Sequence, residues 1–290
     1  MRLIKTIPVA NRLGECVVWD HLGQCVWWTD IERCSLLCYS WPRGPVERYE
    51  TPERLCSFGL TSDSRQIIAA LESGFALFEP QTGRTRWLEK IAKPGIRLND
   101  GRVGPCGGFW AGGMAERTDL AGKADLYCLD EAGRLAVRER GLSIANGICW
   151  NRDAGTFFLA DSPAKTIWRF SFDPRTRALS HRQVFAVLAE GMPDGATVDC
   201  EGYLWSAIWG AGCLLRVAPD GRIDLKFDLP VRQPTCVAFG GAEMNLLFVT
   251  SARDGLEAAS PGSLDGALLV YETSMVGMPE FRYTYRADLA

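Results

Sequence analysis

Cys16-Val17-Val18-Trp19, Asp20-His21-Leu22-Gly23, Cys25-Val26-Trp27-Trp28-Thr29-Asp30 and Ser35-Leu36-Leu37-Cys38-Tyr39 read in succession as strand, turn, strand, strand. The runs are short, rich in β-branched and aromatic residues, and punctuated by Gly and Asp, while helical periodicity is nearly absent. The same grammar returns as Gly147-Ile148-Cys149-Trp150, Asp153-Ala154-Gly155, Thr156-Phe157-Phe158-Leu159-Ala160-Asp161 and Thr166-Ile167-Trp168-Arg169-Phe170. It returns again as Ala196-Thr197-Val198-Asp199, Glu201-Gly202, Tyr203-Leu204-Trp205-Ser206-Ala207 and Cys213-Leu214-Leu215-Arg216-Val217. Weaker copies begin near Gly59, Asp100 and Thr235, with middle strands at Gln66–Ala70, Gly108–Gly112 and Asn245–Thr250.

Six units of roughly 40 to 48 residues fill the chain, the span of a four-stranded propeller blade. The expectation is all-β: a six-bladed β-propeller, one domain over residues 1–290. The surplus run Leu3-Ile4-Lys5-Thr6-Ile7 would complete the last blade beside Gly266-Ala267-Leu268-Leu269-Val270-Tyr271 and hide a sheet edge. A two-sheet sandwich or a pair of small barrels would also yield many short strands, but the regular repeat favours the propeller.

Composition narrows the partners. The chain is 47% hydrophobic and 23% charged with a net charge of -3, so neither nucleic acid nor an anionic membrane is expected. No apolar stretch approaches the ~20 residues of a spanning helix. Met1–Pro8 alternates like a strand and lacks the apolar centre of a signal peptide. Eleven cysteines form no Cys-x-x-Cys pair and cannot all pair within one chain, which points to a reducing compartment and a cytoplasmic location. Cys149, Cys200 and Cys236 sit in apolar runs as small hydrophobes.

Four stretches place an oxygen-bearing side chain at the entry to a β-rich run: Leu13-Gly14-Glu15, Arg97-Leu98-Asn99-Asp100-Gly101, Ala145-Asn146-Gly147 and Met192-Pro193-Asp194-Gly195. In a propeller the start of each innermost strand lies near the central channel, so Glu15, Asn99, Asn146 and Asp194 would occupy equivalent places and converge. Carboxylate and amide oxygens suit a hard cation such as Ca²⁺, Mg²⁺ or Mn²⁺, and the lack of thiolates disfavours structural zinc. Taken singly, Asn-Gly and Asp-Gly are turn dipeptides, and Asp100 reads as a turn cap. His21 and His181, the two histidines, fall in polar surroundings and read as surface residues, against a His-based metal site or a Ser-His-Asp triad. Trp19, Trp28, Trp150, Trp168 and Trp205 read as packing between blades. Trp110 and Trp209 are candidates for stacking a ligand at the mouth. Asp30, Asp161 and Asp199 read as turn or inter-blade hydrogen-bonding residues.

These stretches, with Ala111-Gly112-Gly113-Met114-Ala115-Glu116, Glu201-Gly202-Tyr203-Leu204-Trp205 and Ser251-Ala252-Arg253-Asp254-Gly255, resemble the regucalcin and gluconolactonase (senescence marker protein) family. The resemblance runs in register over nearly the whole chain. It implies a six-bladed propeller with one channel cation that hydrolyses sugar lactones. It implies Glu15, Asn146 and Asp194 as metal ligands, Asn99 beside the metal holding substrate or water, Arg97 gripping the substrate, and Glu116 lining the mouth. Arg117 stands where animal regucalcins carry an acidic residue. The segment Tyr203–Gly210 looks most like bacterial aldonolactonases.

A lactone carbonyl needs an electrophile, which a cation with open coordination positions supplies. The expected reaction is attack of water on the carbonyl, opening an aldonolactone to an aldonic acid with no further cofactor. Asp194 is the candidate catalytic residue, either removing the water's proton or acting only as a ligand, since a cation lowers a carboxylate's basicity. Calcium is the first choice, with Mg²⁺, Mn²⁺, Zn²⁺ or Fe²⁺ as alternatives. The rival reading is a non-catalytic propeller that binds calcium or a partner; a third is an esterase or organophosphate hydrolase, which polar Arg97 and Asn99 disfavour.

Overall fold

The computed structural model describes residues 1–91, 93–256 and 262–289. Its strands form six four-stranded antiparallel sheets, the blades of a β-propeller. Blades 1 to 5 each run outward in chain order from an innermost strand: Gly14–Asp20, Leu55–Leu60, Ile96–Val103, Ala145–Trp150 and Met192–Val198. Blade 6 takes Pro234–Gly240, Leu246–Ser251 and Leu268–Glu272 from the end of the chain and Arg2–Ile7 from its beginning. Arg2 lies opposite Glu272 and Ile7 opposite Leu268.

Burial follows position in the blade. Leu55–Leu60, Ile67–Leu71 and Ala145–Trp150 are buried at every residue, because neighbouring blades cover both faces of inner strands. The outer strand Arg84–Lys90 is half-buried or exposed throughout. Inner strands therefore read as continuous apolar runs rather than as alternation. The middle strands expected from residues 66, 108 and 245 each begin one residue later, at Ile67, Phe109 and Leu246.

Trp19, Trp28, Trp150 and Trp205 are buried, and Trp168 is half-buried beneath the Arg182 guanidinium, 4.0 Å from its ring centre. Trp110 is not at the mouth. It is fully buried in an aromatic cluster, with ring centres 5.6 Å from Trp150, 5.3 Å from Phe157 and 5.8 Å from Phe172. Both histidines are exposed. All eleven cysteines are free. No helix among the described residues is long and apolar enough to cross a membrane.

Every innermost strand carries a register shift against its neighbour, falling between Glu15 and Val18, Leu55 and Ser57, Leu98 and Gly101, Asn146 and Cys149, Pro193 and Ala196, and Pro234 and Val237. A bulge inserts a residue and re-aims the side chains beside it. The Asn-Gly and Asp-Gly pairs therefore lie inside strands rather than in turns.

The C-terminal segment crosses the far ends of the inner strands. Cys200 N–H donates to the Val276 carbonyl at 2.8 Å, Gly277 N–H to Met244 at 2.9 Å, and Tyr283 N–H to Leu60 at 2.8 Å. There Glu280 stands 3.4 Å from Arg102, whose Nη1 donates across the channel from blade 3 to the Ala196 carbonyl of blade 5 at 3.0 Å.

Candidate functional site

At the opposite end, a cavity of about 350 Å³ is lined by Glu15, Arg97, Asn99, Glu116, Asn146 and Asp194, all six residues singled out from the sequence. Leu13, Glu32, Arg54, Met114, Ile144, Ser162, Met192, Trp209 and Asp254 complete its wall.

The bulges bring these side chains together from two registers, not one. Glu15 and Asn146 are the last residues paired before the shift, and each precedes a left-handed residue, Cys16 at φ 47° and Gly147 at φ 62°. Asn99 and Asp194 lie one position later, inside the bulge. A common aim is thus reached by two local backbone solutions. Asp100 is no turn cap: it is half-buried and accepts the Ile148 N–H at 2.9 Å, bracing blade 3 against blade 4.

A directed chain of hydrogen bonds runs around the cavity floor. Arg97 Nη1 donates to the Leu98 carbonyl at 2.8 Å and to Asn99 Oδ1 at 2.7 Å. Asn99 Nδ2 donates to the Ala145 carbonyl at 3.0 Å and to Asn146 Oδ1 at 2.9 Å. Asn146 Nδ2 donates to Ser162 Oγ at 2.8 Å, and Ser162 Oγ donates to the Pro193 carbonyl at 2.7 Å. Arg97, Asn99, Asn146, Ser162 and Asp194 are all buried.

The carboxylates are less well provided. Among the described residues, Glu15 Oε2 accepts one backbone N–H, from Cys16 at 3.0 Å, and Asp194 Oδ1 accepts one, from Gly195 at 3.1 Å. Burial pushes the Glu15 carboxyl up to about 8, with the negative Asp100 adding to the rise and Arg97 opposing it. Burial, then the facing Glu15, pushes Asp194 well above the ordinary carboxylate range. Asp100 is raised by burial as well. These shifts describe negative charge crowded into low dielectric.

That crowding is the fit test for a cation. Among the described residues no three His, Cys, Asp or Glu side chains form a metal-binding group. The candidate set has two carboxylates, and its third donor is an amide oxygen, Asn146 Oδ1, with one of two lone pairs used by Asn99. Two carboxylates and an amide oxygen suit a hard divalent ion, whose charge would offset the repulsion between Glu15 and Asp194.

At the mouth, Arg54 is engaged by three carboxylates: Glu72 at 2.6 Å, Glu116 at 2.8 Å and Glu32 at 3.4 Å. Trp209 sits in the cavity wall, as expected of it, whereas Arg117 is exposed and pairs with Asp119. Asp30 and Asp161 hold the backbone entering their blades, Asp30 accepting from Arg12 and Leu13, and Asp161 from Ser143 and Ile144. Arg54 and Ser162 were not anticipated. Arg54 carries no sequence signal, while Ser162 does: Asp161-Ser162 repeats Asp30-Ile31 at the end of a strand where a short turn opens, with a hydroxyl in place of an aliphatic chain.

Residues 13–253 match the family described as the SMP-30/Gluconolactonase/LRE-like region. The chain is 32% identical to pentonolactonase XacC of Haloferax volcanii over 99% of both chains. It is 34% identical to a 6-deoxy-6-sulfogluconolactonase of Pseudomonas putida over 92% of this chain and 94% of that one. Among solved structures, a calcium-binding protein, regucalcin, of Agrobacterium tumefaciens superposes with a TM-score of 0.90 at 28% identity, covering 98% of each chain.

Proposed function

The chain belongs to the SMP-30/Gluconolactonase/LRE-like family, and from that premise we propose that it is a sugar lactonase, opening aldonolactones to aldonic acids with the help of one divalent cation. The observation that carries the reading is the convergence of Glu15, Asn146 and Asp194 with Arg97 and Asn99 on one cavity. Its volume of about 350 Å³ admits a five- or six-membered lactone with water. Relatives named as lactonases support the activity.

Glu15, Asn146 and Asp194 would hold the cation, calcium by donor type, with Mg²⁺, Mn²⁺, Zn²⁺ or Fe²⁺ as alternatives. When bound, the ion would polarise the lactone carbonyl and offset the charge that builds on its oxygen. Arg97 presents its remaining N–H donors to the substrate's oxygens. Asn99, whose two Nδ2 protons are committed to Ala145 and Asn146, fixes the direction of Arg97 through their hydrogen bond at 2.7 Å and keeps an Oδ1 lone pair for a substrate hydroxyl or water. Glu116, held by Arg54, accepts hydroxyl protons at the mouth. Asp194 takes the proton of the water that attacks the carbonyl carbon. The acyl–oxygen bond of the ring then breaks and the ring oxygen takes up a proton as the free hydroxyl. The eleven free thiols support a cytoplasmic setting.

The test is pH-stat hydrolysis of pentono- and hexonolactones by chelated protein and after each metal is restored. Metal-restored turnover lost in both Asp194→Ala and Asn146→Ala supports the reading. Tight cation binding with no turnover on any lactone would replace it with a non-catalytic calcium-binding propeller.

A further inference from the structure

We propose that Ser162 is a positioning residue: its hydroxyl fixes which end of the Asn146 amide faces the cavity, and so makes that residue a cation ligand. The inference rests on the assignment of Asn146 as a ligand in the proposed function.

An asparagine side chain is nearly symmetric in shape and opposite in chemistry at its two ends. Only Oδ1 can face a cation; an Nδ2 turned inward would repel it. The hydrogen-bond chain around the floor settles the choice because both of its ends are irreversible. At one end the guanidinium of Arg97 can only donate, so Asn99 presents Oδ1 to it at 2.7 Å and Nδ2 to Asn146 at 2.9 Å. At the other end the Pro193 carbonyl can only accept, so the single proton of Ser162 is committed to it at 2.7 Å. Ser162 Oγ must then accept from Asn146, at 2.8 Å, which requires Nδ2 on that side. A flipped Asn146 would set donor against donor at Asn99 and acceptor against acceptor at Ser162, both buried, where unmade hydrogen bonds are costly.

The blades supply an internal comparison. Ile31 and Ser162 occupy the same corner: each follows a strand-ending aspartate, opens a three-residue 3₁₀ turn, and precedes a left-handed residue, Cys34 at φ 47° and Lys165 at φ 51°. Their backbones make matching bonds, Ile31 N–H to Leu13 at 3.0 Å and Ser162 N–H to Ile144 at 3.1 Å. The corner folds with an aliphatic side chain in blade 1, where the candidate ligand, Glu15, has two equivalent oxygens. It carries a hydroxyl in blade 4, where the candidate ligand is an amide that must be oriented. Through Pro193, Ser162 also ties Asn146 to the strand that bears Asp194.

The experiment is calorimetric titration of the chelated full chain with Ca²⁺ and with Mn²⁺. Ser162→Ala should weaken binding about 10- to 100-fold, as removal of a ligand's orienting partner does, and Ser162→Thr should restore it. In an Asn146→Asp background, where a carboxylate has no wrong end, Ser162→Ala should cost less than about twofold. An equal loss in both backgrounds, or no loss in either, overturns the proposal while leaving the cation site standing. Should Ser162→Ala fail to fold, Ser162→Cys, close in shape but a poor hydrogen-bonding partner, takes its place with the same expected losses. Wild-type protein that binds neither ion removes the cation site, and this inference with it.

Discussion

Asn99 Nδ2 lies 2.9 Å from Asn146 Oδ1, so two amides on neighbouring blades share one hydrogen bond at the cavity floor. Asn99→Asp would replace a donor by an acceptor facing both Asn146 Oδ1 and the Ala145 carbonyl. Loss of the bond that orients Asn146 and of the brace to blade 4 should lower kcat/KM by roughly 10- to 100-fold, the scale of losing a ligand's orienting partner. Steady-state kinetics with the best lactone of the panel check it. An unchanged kcat/KM would show that Asn99 takes no part.

Chelated protein should grow less stable as pH rises. The folded-state pKa of Glu15 is pushed up to about 8 by burial, from an ordinary value near 4.5, so the folded chain holds a proton that the unfolded chain releases. Stability from this group is therefore full below the unfolded value and declines as pH climbs toward 8. The melting temperature of the chelated protein should fall by several degrees between pH 5 and 8. With saturating Ca²⁺ the slope should flatten or reverse, because ion and proton compete for the same oxygens. Parallel slopes with and without Ca²⁺ would contradict the prediction.

Neutral lactones should be favoured over charged ones. Glu15, Glu32, Glu116, Asp194 and Asp254 line the cavity against Arg54 and Arg97, and three carboxylates already engage Arg54. Even a divalent ion leaves the lining net negative. A 6-phosphorylated hexonolactone should show kcat/KM at least about 10-fold below its neutral parent, with the gap narrowing at high salt. Equal or better turnover of the phosphorylated lactone would mean that another cation serves the mouth.

Trp110 and Trp209, alike in sequence setting, should separate in their effects. Trp110→Ala removes the centre of a buried aromatic cluster and should cost roughly 3–5 kcal/mol of stability. Its KM should not change. Trp209→Ala, in the cavity wall, should leave the melting temperature within a few degrees and raise KM severalfold. Denaturant melts and substrate titrations of both variants distinguish these outcomes.

The blades were legible because inner strands covered on both faces produce unbroken apolar runs, such as residues 25–28 and 157–160, between polar and turn residues. The six cavity residues were legible mainly as a resemblance, since an isolated Asn-Gly says only that the backbone can turn. Bulge register was not legible: nothing local tells Asn99, aimed at the cavity, from Asp100, aimed at Ile148. Trp110 was misplaced for a reason the pleat explains. It begins a strand antiparallel to Ile96–Val103 and pairs with Arg102, at the end away from the cavity, whereas Met114 at the strand's other end pairs with Arg97 and lines it. Arg54 depends on carboxylates from three other segments, which no window of sequence contains.

The pairing of Arg2 with Glu272 also has a temporal meaning. During synthesis the first strand must wait, unpaired, until some 270 residues later its neighbour leaves the ribosome. Blade 6, on whose inner strand blade 1 and Glu15 pack, is complete only at that moment, so the proposed oxygen cage would be a late product of translation. A stalled nascent chain ending before residue 268 would hold Asn99, Asn146 and Asp194 without a completed ring to bring Glu15 to them. Ion capture by ribosome-bound chains of increasing length would then mark when the circle shuts.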